Sequence, residues 1–434
     1  MYRVGGLLVL SVGVLSGCTT SEILVAHAID LAHAPETVAE EELLDVGIVV
    51  FDPGVPDGEI DREVLEELRD EGVFVHIRRA ESVYMAVQLR DTMQRSGHWG
   101  TVWVTPEESL AADVSVSAAI MQSDGDIVRV DVTAVDATGR TWIDEPYELE
   151  APAGVYNHQR YPNLDPYQDL FNSIANDLAA ARAQLPATQA RQIRTVAALR
   201  YAGALSPAAF EGYVAASRSG TYESVRLPAA DDPMFGRTQR VRQREQLLFE
   251  TLNPHYEHFT SEMAQSYDSW RAYAREESVA IRELRRSARW RKALGIAATV
   301  ASVASMMRGG ADYNSFSSRA VRDSMMFLGT GMLEMSAVHT QGRRLHAAAL
   351  EELSASFDDE AEPLVVEIAG AQHRLTGTAE VQYAEWRELL RQLFMDETGL
   401  AGDVEVYPEA DVQLQRPTEQ DPQPEYIPTI DAHR

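Results

Sequence analysis

The sequence predicts an α+β protein: an N-terminal α/β sandwich with an antiparallel meander, a long helical hairpin or bundle, and a small C-terminal ββα unit. Three observations predict it. Residues 114–134 alternate apolar and polar side chains at period 2 across an Asp-Gly turn. Residues 187–357 carry almost unbroken helical patterning. Leu364, Val366 and Ile368 alternate just ahead of an amphipathic stretch, residues 379–397.

The elements follow in order. Asp45-Val46-Gly47-Ile48-Val49-Val50-Phe51 is a β-branched run stopped by Asp52-Pro53-Gly54, a buried strand. Val64, Leu65 and Leu68 mark a short helix over 61–70. Val83, Ala86, Leu89 and Met93 share one face of a helix over 80–96, ended by Gly97 or Gly100. A short strand spans 101–104. Val114, Val116, Ala118 and Ile120 then face one way. Ser123-Asp124-Gly125-Asp126 turns, and Val128, Val130, Val132 and Ala134 return. Asp136-Ala137-Thr138-Gly139 turns again into a third strand over 140–149. Such alternation buries one face of an antiparallel meander. Leu170, Ile174 and Leu178 build a helix over 165–185 to cover it.

Beyond Leu185 the reading is helical: 187–205, then 207–217, with a loop over 221–232. A long helix over 234–307 is expected to break at Asn253-Pro254, because proline removes an i→i−4 donor. Gly309-Gly310 stops it, and 317–356 returns as the second arm of a hairpin. A β-hairpin over 362–378 and a helix over 379–397, closed by Gly399, complete the ordered part. Residues 402–434 are acidic and proline-rich and are expected to be disordered. The domain reading is therefore 1–17 signal, 18–44 tether, 45–185 α/β domain, 187–357 helical domain, 362–399 ββα unit and 402–434 tail.

The chain has 434 residues, a formal net charge of −29 and 45% hydrophobic residues. The acidic balance argues against nucleic acid as a partner, since phosphate binding needs a basic field. Lys292 is the only lysine, which leaves no Schiff-base or Gly-Lys-Ser/Thr chemistry elsewhere. The single cysteine, Cys18, removes structural disulfides and thiolate metal sites. Catalytic patterns are missing: no Gly-x-Ser-x-Gly, His-Glu-x-x-His or Gly-x-Gly-x-x-Gly occurs. His255 and His258, with Glu262 a turn on, have a spacing compatible with a metal, but a plain surface pair is the commoner arrangement. The expectation is no catalytic residue, no cofactor and no metal.

The first eighteen residues carry the sharpest signal. Arg3 supplies positive charge, Val4 to Val14 is apolar apart from one Ser, and Leu15-Ser16-Gly17-Cys18 closes the run. The run is too short to span a bilayer, which takes ~20 residues, and has the plan of a secretory signal. The four closing residues resemble the lipobox of bacterial lipoproteins. That family carries a diacylglycerol on the cysteine thiol, is cut just before it, and is acylated at the new N-terminus. Two or more chains hold firmly to a membrane. Thr19, where an aspartate would favour inner-membrane retention, implies the outer membrane, facing the periplasm.

Two further resemblances are weaker in extent. Val46 to Phe51, Met85 to Met93, Ala112-Asp113-Val114-Ser115-Val116 and Val128 to Gly139 together resemble the α/β domain shared by the Tol-system propeller protein, the curli-secretion lipoprotein and lipoprotein activators of peptidoglycan synthases. Residues 52–78 depart from it as an insertion. Residues 362–399, with Leu375-Thr376-Gly377, resemble half of a BON domain, a family linked to phospholipid surfaces. These resemblances imply an accessory role in envelope assembly or transport with a protein partner, the oligomeric state being left open. An envelope enzyme such as a cell-wall hydrolase, and a phospholipid-binding peripheral protein, are the alternatives.

One internal feature stands out. Arg282, Arg285, Arg286, Arg289, Arg291 and Lys292 fall within eleven residues, and the fifteen from Ala293 to Met307 carry no charge. A helix of fifteen residues spans about 22 Å, short of the ~30 Å hydrocarbon core. The six cations are candidate contacts to anionic headgroups or to a partner. A seam packed against residues 325–335 and self-association are the competing readings.

Overall fold

The computed structural model describes residues 29–34, 38–56, 60–70, 72–152, 154–157, 161, 164–306, 364–368, 371–375 and 378–399. At Asp70 and Ile281, beyond Arg282 in the long helix, and over 364–373 it describes backbone alone. The signal, the returning arm over 317–356 and the tail lie outside the described residues.

The architecture is mixed α+β. A five-stranded sheet has the order β2-β1-β3-β4-β5, with β1 Val46–Val49, β2 Val102–Thr105, β3 Val114–Ser123, β4 Ile127–Asp136 and β5 Thr141–Glu150. Strand β1 runs parallel to β2 and β3, while β3, β4 and β5 form the antiparallel meander. Alternation decides the faces. Val114, Val116, Ile120, Val128, Val130, Val132 and Ala134 are buried under helices. Ser117, Thr133 and Asp144 pair across the other face, where Thr133 Oγ1 donates to Asp144 at 3.2 Å and Arg129 Nε to Glu148 at 2.8 Å.

Helix α1 (Arg62–Asp70) precedes α2 (Val75–Ser96). The latter starts five residues earlier than the apolar pattern indicates. The polar side chain that hides this start is buried: Arg78 donates from Nη1 to the Ile120 carbonyl at 2.9 Å and faces Glu81 at 3.7 Å. Gly97 ends α2 in the left-handed region, as expected. Helix α3 (Gln168–Ala183) packs on α2 and β5, and α4 (Ala187–Leu205) follows.

Residues 207–217 are not one helix. Helix α5 is only Pro207–Phe210, and Gly212 then takes a positive φ. A hairpin of β6 (Val214–Ala216) and β7 (Tyr222–Ser224) follows where helix and loop were expected. Its turn is held by hydroxyls, with Ser217 Oγ accepting from the Thr221 N–H at 3.1 Å. Short polar side chains of this kind compete with helical bonding.

Helix α6 (Pro233–Met306) runs 74 residues, about 110 Å, and does not break at Pro254. The carbonyl that loses its helical donor, that of Glu250, belongs to a solvent-exposed residue, and the Asn253 side-chain amide adds a bond to the Phe249 carbonyl at 2.6 Å. The same side chain caps the sheet edge: it accepts from Val104 N–H at 3.0 Å and donates to the Val104 carbonyl at 3.2 Å. One amide thus satisfies both backbone groups of Val104 on edge strand β2, while Gln94 Oε1 accepts from the Val102 N–H at 3.1 Å.

The C-terminal unit is a hairpin of β8 (Leu364–Ile368) and β9 (Ala371–Leu375), followed by α7 (Ala379–Thr398). Gly399 closes α7 as expected, and Thr378, read from the sequence as the end of the hairpin, caps its start. Buried apolar side chains from the sheet, α2, α3, α4, α6 and α7 form one contiguous core.

The described residues of the segment read as tether and lead-in, 29–34 and 38–44, are bonded to the body. Asn172 Nδ2 donates to the Ile29 carbonyl at 2.8 Å, and Ala32 N–H to Asn176 Oδ1 at 2.7 Å. Ala34 N–H donates to the Ser96 carbonyl at 2.9 Å. Arg182 and Arg194 each donate to a carbonyl of the 40–42 turn at 2.7 Å.

Candidate functional site

The most distinctive chemistry lies where α6 crosses α2 and the tip of the β3–β4 hairpin. Helix α6 approaches so closely that a Cβ on Gly125 would lie 2.1 Å from the Arg271 carbonyl, so only glycine fits. Into this seam each element sends charge. Arg271, 1% exposed along its side chain, pairs with Asp165 at 3.2 Å and with Asp268 one turn back. Its guanidinium lies 4.2 Å from the Tyr267 ring centroid, 5.0 Å from Tyr167 and 5.4 Å from Tyr84. Burial opposes its charge, but Asp165, Asp268 and the surrounding phenols push its pKa well upward. The Tyr84 hydroxyl donates to the same Asp165 carboxylate. Burial, then the Asp165 charge, drive the Tyr84 pKa well upward, so the phenol stays protonated.

Glu81 lies at the centre of the seam, fully buried. Its Oε1 accepts from Ser123 at 2.6 Å and from Tyr267 at 2.8 Å. Burial raises its pKa; Arg78 and the two hydroxyls pull the other way. The folded state therefore holds the proton more tightly than the unfolded chain. Stability from this group is present below its ordinary value of 4.5 and is lost as pH rises through the raised value. Glu81→Gln keeps an acceptor and does not titrate. Its stability relative to the parent should rise with pH, by about 1.4 kcal/mol per pH unit of that window. Urea denaturation of both proteins at several pH values checks this; a pH-independent difference contradicts it.

Beside the seam, Tyr84, Val87, Gln88, Arg90 and Asp91 of α2 and Glu257, Thr260, Ser261 and Ala264 of α6 line a groove of about 450 Å³. Arg90 is committed within it: Nη2 meets Glu257 at 2.8 Å, Nε meets Asp91 at 2.9 Å and Nη1 donates to Asn253 at 2.9 Å. A second polar centre lies further up α6. Buried Glu245 accepts from Ser109 at 2.6 Å and from Tyr201 and Tyr383 at 2.7 Å each. These carboxylates are spent on holding elements together, which makes both centres clamps.

Of the six cations expected at a membrane or partner surface, Arg282 is the one whose side chain is described: it pairs with Asp126 and reaches Glu150 at 3.5 Å while staying 40% exposed. The cause is Asp126, fully buried at the hairpin tip and approached by Arg275 at 3.5 Å, which demands countercharge. Arg285, Arg286, Arg289, Arg291 and Lys292 lie on the α6 backbone with side chains outside the described residues. Cys18 and the 325–335 seam partner also lie outside them. His258 Nε2 meets Glu262 at 3.4 Å, both exposed. Among the described residues no cluster of three or more metal-ligating side chains forms, and no helix is long and apolar enough to cross a membrane.

Sequence reasoning missed the seam because Glu81, Asp165 and Arg271 are far apart in the chain. A signal was present in α6: Phe249, Leu252, Tyr256, Phe259, Met263, Tyr267, Trp270 and Ala274 recur every three or four residues, and all are buried. Comparison with protein-family models, with curated proteins and with solved structures found no match in any of the three. What the fold itself defines is an α+β protein whose long helix is clamped against strand β2, α2 and the tip of the β3–β4 hairpin.

Proposed function

We propose that this chain is a lipid-anchored accessory protein of a bacterial envelope, held through Cys18 on the periplasmic face of the outer membrane, with its α/β body serving as a non-enzymatic interaction module. The observation that carries this is Leu15-Ser16-Gly17-Cys18 behind a short apolar run. Two features of the body support a scaffold role. The buried carboxylates serve as clamps between elements, and the solvent face of β3–β5 presents a broad strand surface bearing Ser117, Thr133 and Asp144.

Replacing Cys18 with serine should move the protein from the membrane to the soluble fraction and abolish incorporation of a palmitate analogue. Unchanged membrane recovery together with unchanged labelling overturns the reading. A phospholipid-binding role is favoured by the basic stretch Arg282 to Lys292, set against fifteen uncharged residues in an otherwise acidic chain.

A further inference from the structure

We propose that residues 29–34 form an acid-released strap, docked on α2 and α3 at neutral pH and freed as His98 takes up a proton, so that acidity sets the length of free chain ahead of the body. The docking is almost wholly polar. Asn172 Nδ2 donates to the Ile29 carbonyl at 2.8 Å, and Asn176 Nδ2 to the Asp30 carbonyl at 2.9 Å. Ala32 N–H donates to Asn176 Oδ1 at 2.7 Å, and Ala34 N–H to the Ser96 carbonyl at 2.9 Å. No residue of the strap is fully buried, and Leu31 is its only apolar side chain packed on the core. A surface segment with so few apolar contacts opens at low cost, so a modest change at one contact shifts its population.

The sensitive contact is His98, in the turn after α2, which hydrogen-bonds the Ala32 backbone. Its Nε2 is buried without a partner among the described residues, so that bond belongs to Nδ1. The neutral ring suits this arrangement, with the proton on Nδ1 and a bare acceptor at Nε2. A second proton puts an N–H where no acceptor stands. Arg182 of α3 and His33 of the strap both face the ring and oppose the added charge. Carboxylates of the surrounding elements have other partners. Glu42 meets Arg191 at 3.7 Å, Asp45 accepts from the Thr101 N–H at 2.9 Å, and Asp177 accepts from the Tyr147 hydroxyl at 2.9 Å. Asp30, Glu40 and Glu41 are exposed. Burial first, then Arg182 and His33, hold docked His98 below its ordinary 6.5, against the Ala32 bond, which raises it. Docking therefore gains from His98 above that ordinary value and loses the gain as pH falls below it. His33 itself is no release point: its Nδ1 lies 3.1 Å from the Arg95 carbonyl, an acceptor that the neutral and the charged ring can both serve.

Release changes reach. With the strap docked, residues 19–28 separate Cys18 from Ile29, and eleven Cα–Cα steps extend at most roughly 40 Å. With it freed, the next described residue bonded to the body is Glu40, whose carbonyl accepts from Arg194 at 2.7 Å, and the limit rises to roughly 80 Å. This consequence rests on the reading of Cys18 as the lipidated residue; the strap's response to pH does not.

The test is hydrogen exchange of the full chain at about pH 7.5 and about pH 5.5, corrected for the intrinsic effect of pH. Protection of the Ala32 and Ala34 amides should fall roughly five- to tenfold on acidification. The Ala151 N–H, bonded to the Asp126 carbonyl at 2.7 Å, should stay protected at both. His98→Asn keeps a donor and does not titrate, so its strap should hold its protection across that range. Asn172→Ala/Asn176→Ala should lose it at both pH values. Protection in the parent that ignores pH, an equal acid loss in His98→Asn, or disappearance of the loss in His33→Asn overturns the proposal. Mass analysis of Cys18 in the same sample decides the anchor separately: absence of an acyl chain overturns the anchor reading and the change of reach, and leaves the strap to the exchange result.

Discussion

Replacing Arg271 with alanine should destabilise the protein by about 3–5 kcal/mol, because it empties a fully buried site and leaves the half-buried Asp165 carboxylate without its cation. Asp165 and Asp268 both depend on it, and three aromatic rings lose the flat ion stacked between them. Arg271→Lys should recover only part of the loss, since an ammonium cannot serve two carboxylates and three ring faces at once. Arg271→Met combined with Asp165→Asn and Asp268→Asn should be milder than Arg271→Ala alone, because it removes both signs of charge. Chemical denaturation of the set measures this. Equal stability of Arg271→Ala and the parent would mean that the seam contributes nothing to docking of α6.

Val130→Lys should cost a similar ~3–5 kcal/mol, the penalty of an uncompensated buried charge. Val130 is 0% exposed, between Ile120 and Tyr147 on the helix-covered face. The same substitution at Thr133, three residues on and on the opposite face, should stay within about 0.5 kcal/mol, the range of ordinary surface changes. Its neighbour there is Asp144, which favours a cation. Thermal melts of the two variants make the comparison, and equal effects would reverse the face assignment.

The sheet was legible because a strand with one buried face must alternate, and Val128 to Ala134 alternate without exception. The turns were legible because Gly125 and Gly139 hold the positive φ their positions require. Helix α4 and the 364–375 hairpin were legible for similar local reasons. What escaped was set by distant partners. The first turn of α2 reads as polar until Arg78 is seen to bond the Ile120 carbonyl. Pro254 reads as a break until Glu250, which loses its donor, is seen to be solvent-exposed and Asn253 to hold the edge of β2. The β6–β7 hairpin is short enough that its three-residue strands have no period to detect. The seam was the least legible part, since nothing local to Glu81 announces Tyr267 or Ser123. The lipobox, in contrast, is four consecutive residues and needs no fold to be seen.

The Glu245 carboxylate joins four points of the chain, Ser109, Tyr201, Glu245 itself and Tyr383. Its last donor is 138 residues further on. A polypeptide made or exported from its N-terminus therefore delivers the sheet, α2, α3 and α4 long before Tyr383 arrives. Until then a carboxylate, destined for burial, stays one donor short beside the bare ring of Phe249. Closure by α7 is thus a late event. Arrival of α7 is recorded at a single side chain, by the filling of its third hydrogen bond.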